Sequence, residues 1–255
     1  MAVTLFDLTG KTALITGSSS GIGFALAGGL AKAGALIVLN GRDEAKLAKV
    51  AEAFKADGAN VAVSAFDVTK PAGIAPAIQR IEAEIGPIDI LVNNAGMTQR
   101  SPLDQFPEDA WDRIMSTNLD SVFHVSKAVA QGMIARKRGK IINICSVQSE
   151  LGRPGIAPYA ASKGALKMLT KGMAIDWGKH GIQVNGLGPG YFKTELTEAL
   201  VKDETFSAWL TNRTPLGRWG DVEDLQGAAI FLASKASDFV SGHILYVDGG
   251  VTAQL

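Results

Sequence analysis

The chain has 255 residues, 47% of them hydrophobic and 20% charged, with a formal net charge of zero. That balance suits a packed globular fold and provides neither a basic field for nucleic acid nor an acidic tail. The single Cys145 excludes an internal disulfide, the three scattered histidines show no metal-ligand spacing, and no stretch reaches the roughly 18 apolar residues of a membrane span. Residues 1–7 lack the basic flank and apolar run of a signal peptide, so a cytoplasmic location is expected.

In chain order, 12–16 reads as a buried strand, followed by a Gly/Ser turn and a helix over 24–33 that ends at Gly34. Residues 35–40 form a second strand, and Asp43 caps a helix that buries Leu47, Val50, Ala51 and Phe54. A third strand (60–66), a helix (71–85) and a fourth strand (89–92) follow. The stretch 107–137 predicts one long helix with a break near Asn118. The fifth strand, 140–145, carries Cys145, expected as a buried and inert thiol. A helix over 158–179, a sixth strand (182–187), an irregular segment with short helical pieces (191–216), a helix (221–234) and a seventh strand (244–247) complete the chain. Continuous apolar strands alternating with helices predict an α/β fold. It is a doubly wound, three-layer sandwich around a seven-stranded parallel sheet, built as one domain over 1–255. Ligands of such sheets sit beyond the carboxyl ends of the strands, and each motif below follows a predicted strand.

Tyr159 and Lys163 stand four apart and share a helix face. A free phenol, with a pKa near 10, transfers protons poorly at neutral pH, and an adjacent ammonium is expected to pull that value down. Taken alone, such a pair is more often ordinary helix surface. Gly17, Ser19, Ser20, Gly21, Ile22 and Gly23 lie in a turn between the first strand and first helix. Glycines let a backbone approach a pyrophosphate there, and the helix N-terminus offers N–H donors. The same residues also match the G-x-S-x-G elbow of hydrolases, which would make Ser19 a nucleophile. His243 is the only histidine near a plausible loop, no acid partner stands out, and the elbow normally follows several strands.

Together these motifs make the chain resemble the short-chain dehydrogenase/reductase family along nearly its whole length. The resemblance rests on T-G-x-x-x-G-x-G at 16–23, Asn93-Asn94-Ala95-Gly96, Asn118, Ser146, the Tyr159–Lys163 pair, and Pro189-Gly190 with Thr194. It implies a Rossmann-type fold and a catalytic set of Asn118, Ser146, Tyr159 and Lys163. Tyr159 would be the acid/base at the substrate oxygen, with Ser146 bonding the same oxygen. Lys163 would hold the nicotinamide ribose and lower the Tyr pKa, and Asn118 would hold a water linking Lys163 to solvent. Asn94, Ala95 and Gly96 would run along the cofactor, Asp67 and Val68 would meet the adenine, Thr194 would lie at the nicotinamide end, and Pro189 and Gly190 would also bind the cofactor. The resemblance also implies a mobile lid at about 191–216. It implies a homotetramer as well, with the Asn118 and Tyr159 helices at one interface and the region 246–250 at another.

The second strand ends Asn40-Gly41-Arg42, with no acid to repel a 2′-phosphate and with a guanidinium to pair with one. NADP(H) is therefore expected over NAD(H). The stretches after the fourth and fifth strands are polar and carry Arg100 and Arg153, unlike a lining for an acyl chain or steroid. They suit a small sugar acid. Arg100 and Arg153 would face its carboxylate, while Gln148, Glu150 and Tyr191 would meet hydroxyls, beside Ser146 and Tyr159. The stretches 143–151, 188–192 and 214–219 look like the gluconate 5-dehydrogenase branch of the family, implying interconversion of D-gluconate and 5-keto-D-gluconate. A 3-oxoacyl-carrier-protein reductase, another polyol or keto-sugar dehydrogenase of the same family, and a non-catalytic NADP(H) sensor are the alternatives.

Overall fold

The computed structural model describes residues 4–254; residues 1–3 of the stretch read against a signal peptide lie outside them. Seven strands pair in parallel in the order β3-β2-β1-β4-β5-β6-β7. They are β1 (Thr12–Ile15), β2 (Leu36–Gly41), β3 (Val61–Ala65), β4 (Ile90–Asn93), β5 (Gly139–Ile144), β6 (Ile182–Pro189) and β7 (Ile244–Val247). The order reverses between β1 and β4, where a doubly wound sheet opens its ligand crevice.

Period-two alternation sends successive strand residues to opposite faces. Ala13, Ile15, Ile37, Leu39, Ile90 and Val92 pack under α1 (Gly21–Lys32), α2 (Glu44–Ala56) and, further along the chain, the helix at Gln226–Ala233. Leu14, Val38, Leu91 and Ile141 face α3 (Pro71–Glu84) and the helices at Ser121–Arg136 and Ala157–Gly178. Each fully buried Leu or Ile contributes about 1.5–3 kcal/mol. This two-faced burial explains why the strands read as unbroken apolar runs rather than alternating ones.

The long helix does break at Asn118. α4 (Glu108–Met115) passes through a single π-helical stretch, Ser116–Asp120, into α5 (Ser121–Arg136). Such bulges are rare and cluster at functional sites. α6 (Ala157–Gly178) carries Tyr159 and Lys163. Three expectations need adjustment. α1 begins at Gly21 rather than residue 24, because extended Ser20 already starts the helix. β6 runs on to Pro189, which still pairs with Val247. The segment after β6 is more ordered than expected: a short helix α7 (Glu198–Val201) leads into the ten-residue α8 (Glu204–Arg213), started by Asp203 accepting from the Phe206 N–H at 3.0 Å. The C-terminal part of 221–234 is α9 (Gln226–Ala233). Among the described residues no helix is long and apolar enough to cross a membrane.

Candidate active site

A cleft of about 990 Å³ crosses the carboxyl ends of the strands, from Arg42 and Asp67 at one end to Ser146, Tyr159 and Lys163 at the other. Its floor is the glycine turn. A side chain at Gly17 would bring its Cβ within 2.9 Å of Ala95 Cα, so only glycine permits that approach. Ser20 makes no side-chain cap bond, which leaves the first N–H groups of α1 facing the cleft. Asn94 holds the turn in place, donating both amide hydrogens, to Thr16 O (3.0 Å) and Gly17 O (2.9 Å). The Thr16 hydroxyl accepts from the N–H groups of Asn94 and Ala95. Gly23 is the one expected cofactor residue that does not line the cleft. It lies beneath, where any Cβ would collide with the Asn94 amide and the Gly17 carbonyl.

The remaining expected cofactor residues reach the wall: Ser19, Ser20, Gly21 and Ile22 on the turn, Val68 beside Asp67, Ala95 and Gly96 after β4, and Pro189, Gly190 and Thr194 after β6. Asn40 lines the wall as well, but its amide is turned away, donating to Ser64 O (3.0 Å) and Phe66 O (3.1 Å). It is a brace between β2 and β3. Arg42 is exposed at the rim and makes no ion pair among the described residues. Asp67 accepts from the Thr69 N–H and hydroxyl, closing a tight turn. Burial raises its carboxyl, but the Thr69 bonds and the Arg42 charge outweigh that and hold it below its usual value. An uncapped helix start, a glycine turn, an elongated cleft and a rim cation suit a dinucleotide carrying an extra phosphate.

At the other end, the Ser146 hydroxyl accepts from the Gln148 N–H at 3.1 Å and sits beside the Tyr159 phenol. The expected depression of the phenol pKa is not found. Burial pushes Tyr159 above its ordinary value, with hydrogen bonding to Ser146 pulling against it. The Lys163 ammonium lies 5.8 Å from the ring centroid and instead donates to Ile144 O at 2.6 Å. Lys163 is itself buried, and desolvation draws its pKa down to about 8. The Asn118 side chain is fully engaged. Both of its amide hydrogens are engaged, with Met97 O (2.9 Å) and Ser162 Oγ (3.0 Å), while its oxygen accepts from the Met97 N–H. Its side chain is a strut between the loop after β4 and α6, so no amide hydrogen remains for a relay water. The Ser162 end of that strut had no sequence signal beyond its place in the same helical turn. Cys145 is buried, and desolvation raises its thiol to about 11, as suits an inert position.

The sugar-acid set separates. Arg100, Gln148, Arg153 and Tyr191 converge from the loops after β4, β5 and β6. Gln148 Nε2 donates to the Tyr191 hydroxyl at 3.3 Å. Burial, and then the Arg153 charge, lower the Arg100 pKa. Neither arginine makes an ion pair among the described residues, and buried Arg153 Nε, Gln148 Oε1 and Thr98 Oγ1 have no partner. The corner adjoins the phenol, since Tyr191 lies near enough that its ionisation would raise the Tyr159 pKa further. Glu150 does not join it. Its carboxylate pairs with Lys167 and accepts from the Tyr246 hydroxyl at 2.8 Å, which corrects its assignment to substrate. The hydrolase reading also fails on geometry. Ser19 follows the carboxyl end of β1, whereas His243 precedes β7 at the amino ends of the parallel strands.

Comparison with known proteins fits this architecture. A family model described as enoyl-(acyl carrier protein) reductase matches residues 17–252. A gluconate 5-dehydrogenase of Gluconobacter oxydans (strain 621H) is 58% identical over 98% of both chains. A 5-keto-D-gluconate 5-reductase of Escherichia coli (strain K12) is 56% identical over 97% of both. The crystal structure of a gluconate 5-dehydrogenase from Burkholderia cenocepacia J2315, in complex with NADP and tartrate, superposes with a TM-score of 0.98 at 60% identity over the whole of each chain. With a sheet order, glycine turn and Ser–Tyr–Lys cluster of this kind, and relatives so similar across its length, the chain belongs to the short-chain dehydrogenase/reductase family of oxidoreductases.

Proposed function

We propose that the chain is an NADP(H)-dependent oxidoreductase interconverting D-gluconate and 5-keto-D-gluconate. The observation that carries this reading is the pair of guanidinium groups, Arg100 and Arg153, meeting beside Tyr191 with no acidic partner among the described residues. Two neighbouring cations, Arg100 exposed and Arg153 partly buried, repel each other without a counter-charge, and a substrate carboxylate would relieve them. The unmatched acceptor at Gln148 Oε1 and the Tyr191 hydroxyl suit a polyol chain. The relatives named for gluconate and 5-keto-D-gluconate support the same substrate, and the NADP complex supports the cofactor.

When bound, the cofactor supplies or accepts hydride at nicotinamide C4. The protein residues handle the proton. In the reducing direction Tyr159 gives its phenolic proton to the former carbonyl oxygen, while the Ser146 hydroxyl donates to that oxygen and stabilises its growing charge. The phenol starts above its usual pKa, so it holds its proton until the oxygen demands it. Lys163, charged below about pH 8, offers an ammonium to the phenolate that results. Arg42 would pair with the 2′-phosphate, and the α1 N-terminus would meet the pyrophosphate. The segment 191–216 would cover the substrate. We further read the enzyme as one folded unit acting in the cytoplasm and assembling as a homotetramer. Exposed Met168 and Ile175 on α6 and Phe123 on α5 are apolar surfaces that pairing of these helices would cover.

Initial rates against 5-ketogluconate, 2-ketogluconate, sorbose and an acetoacetyl thioester, with NADPH and with NADH, test the reading. Preference for 5-ketogluconate with NADPH is expected, and preference for the thioester would replace the proposal with the acyl-carrier alternative. Loss of turnover in Tyr159→Phe, by about 10²–10⁴ in kcat, separates an enzyme from a sensor.

A further inference from the structure

We infer that Phe206, on α8, is a positioning residue for acid recognition: its ring is the platform that holds the Arg153 guanidinium in the substrate corner. The inference rests on the sugar-acid reading above and adds a residue from the covering segment to it.

Arg153 presents an unusual situation. Its Nε is buried without an acceptor, it has no acidic partner among the described residues, and its charge faces that of Arg100. Repulsion and desolvation both favour swinging the side chain into water. The contact that opposes this is the face of Phe206, whose centroid lies 5.1 Å from Arg153 Cζ. A planar guanidinium stacks well on an aromatic face, and the attraction grows as water is removed.

The platform is itself fixed. The Phe206 ring packs against Trp209 (5.3 Å between centroids), Tyr191 (5.8 Å) and Trp219 (6.2 Å). Trp219 is buried, and its Nε1 donates to Ser207 Oγ at 3.2 Å, tying the cluster to α8. Tyr191 in turn accepts from Gln148. The covering helix therefore meets the substrate corner through Arg153. An anion at the arginine pair would relieve the repulsion that drives Arg153 off the ring, whereas a loss of the ring would free Arg153 without touching the cofactor cleft.

The test uses the full-length enzyme with NADPH and compares wild type, Phe206→Leu, Phe206→Trp, Arg153→Met and the Arg153→Met/Phe206→Leu pair. KM for 5-ketogluconate and for NADPH are measured, together with calorimetric binding of gluconate. Phe206→Leu is expected to raise the 5-ketogluconate KM and the gluconate Kd about tenfold, the scale of a desolvated cation–π contact, while moving the NADPH KM less than about twofold. Phe206→Trp keeps the face and should restore most of the affinity. The pair should be no worse than Arg153→Met, because the ring acts through that side chain. Losses that multiply in the pair, or a Phe206→Leu enzyme that binds gluconate as wild type does, would overturn the inference while leaving the sugar-acid reading intact. Wild-type enzyme that neither binds gluconate nor reduces 5-ketogluconate would overturn both.

Discussion

At the glycine turn, Asn94 gives both amide hydrogens to the backbone of Thr16 and Gly17, and the Thr16 hydroxyl takes two N–H groups in return. At the Arg100–Arg153 corner, neither arginine has an acidic partner, and Gln148 Oε1, Thr98 Oγ1 and Arg153 Nε have no partner, among the described residues. Both regions are polar and both lie beyond the strand ends. They differ in whether the protein answers its own hydrogen-bonding groups. Buried polar groups normally find partners, so a saturated network marks scaffolding, and a cluster of unanswered groups marks where a ligand must supply the bonds. By that measure Asn94, Asn40 and Asn118 shape the site, and the corner is where the proposed substrate selection would act.

The sharpest break of this comparison is Arg100→Ala. It should raise the KM for 5-ketogluconate by about 10–100-fold, the scale of a charge-assisted hydrogen bond, with little change in NADPH affinity. Equal effects on both ligands would erase the distinction between corner and cleft. Asn94→Ala addresses the scaffold side. Freeing the Thr16 and Gly17 carbonyls should cost about 1–3 kcal/mol of folding stability, read by denaturant titration, and should weaken NADPH binding along with it. A variant that lost cofactor affinity at full stability would show Asn94 to be a ligand contact instead.

Lys163 yields a pH-dependent prediction for the cofactor-free protein. Its pKa falls from 10.5 to about 8 on folding. Below pH 8 both states carry the charge, and the folded state bears the penalty of burying it. Between pH 8 and 10.5 the unfolded chain holds the extra proton, so wild-type stability from this group rises with pH. Lys163→Met should therefore be more stable at pH 7 by roughly 1–2 kcal/mol, after loss of the bond to Ile144 O. Thermal melts should show that advantage shrinking as pH rises above 8, and a gain independent of pH would disprove the buried-ammonium account. The smallest effect is expected from Arg42→Ala. An exposed guanidinium on a phosphate contributes about 1 kcal/mol, so the NADPH-over-NADH preference in kcat/KM should fall about fivefold.

Much of this molecule was legible from local pattern. Seven unbroken apolar runs announced strands buried on both faces, and the Gly/Ser turn after the first of them announced the cleft. The spacing of Tyr159 and Lys163 placed them on one helix, and the break at Asn118 is a real π-helical stretch. Helix and strand periodicities are properties of neighbouring residues, so a linear reading reaches them. The choice of partner by a polar side chain is not such a property. Glu150 reads as a substrate contact until β7 brings Tyr246 and α6 brings Lys167 against it. Tyr159 and Lys163 share a turn, yet the ammonium bonds the end of β5 while burial raises the phenol. Phe206 and Arg153 lie 53 positions apart and meet only because the chain crosses β6 and returns over the corner. Periodicity is carried by the backbone within a few residues, whereas charge pairing and desolvation depend on which loops the sheet order sets side by side.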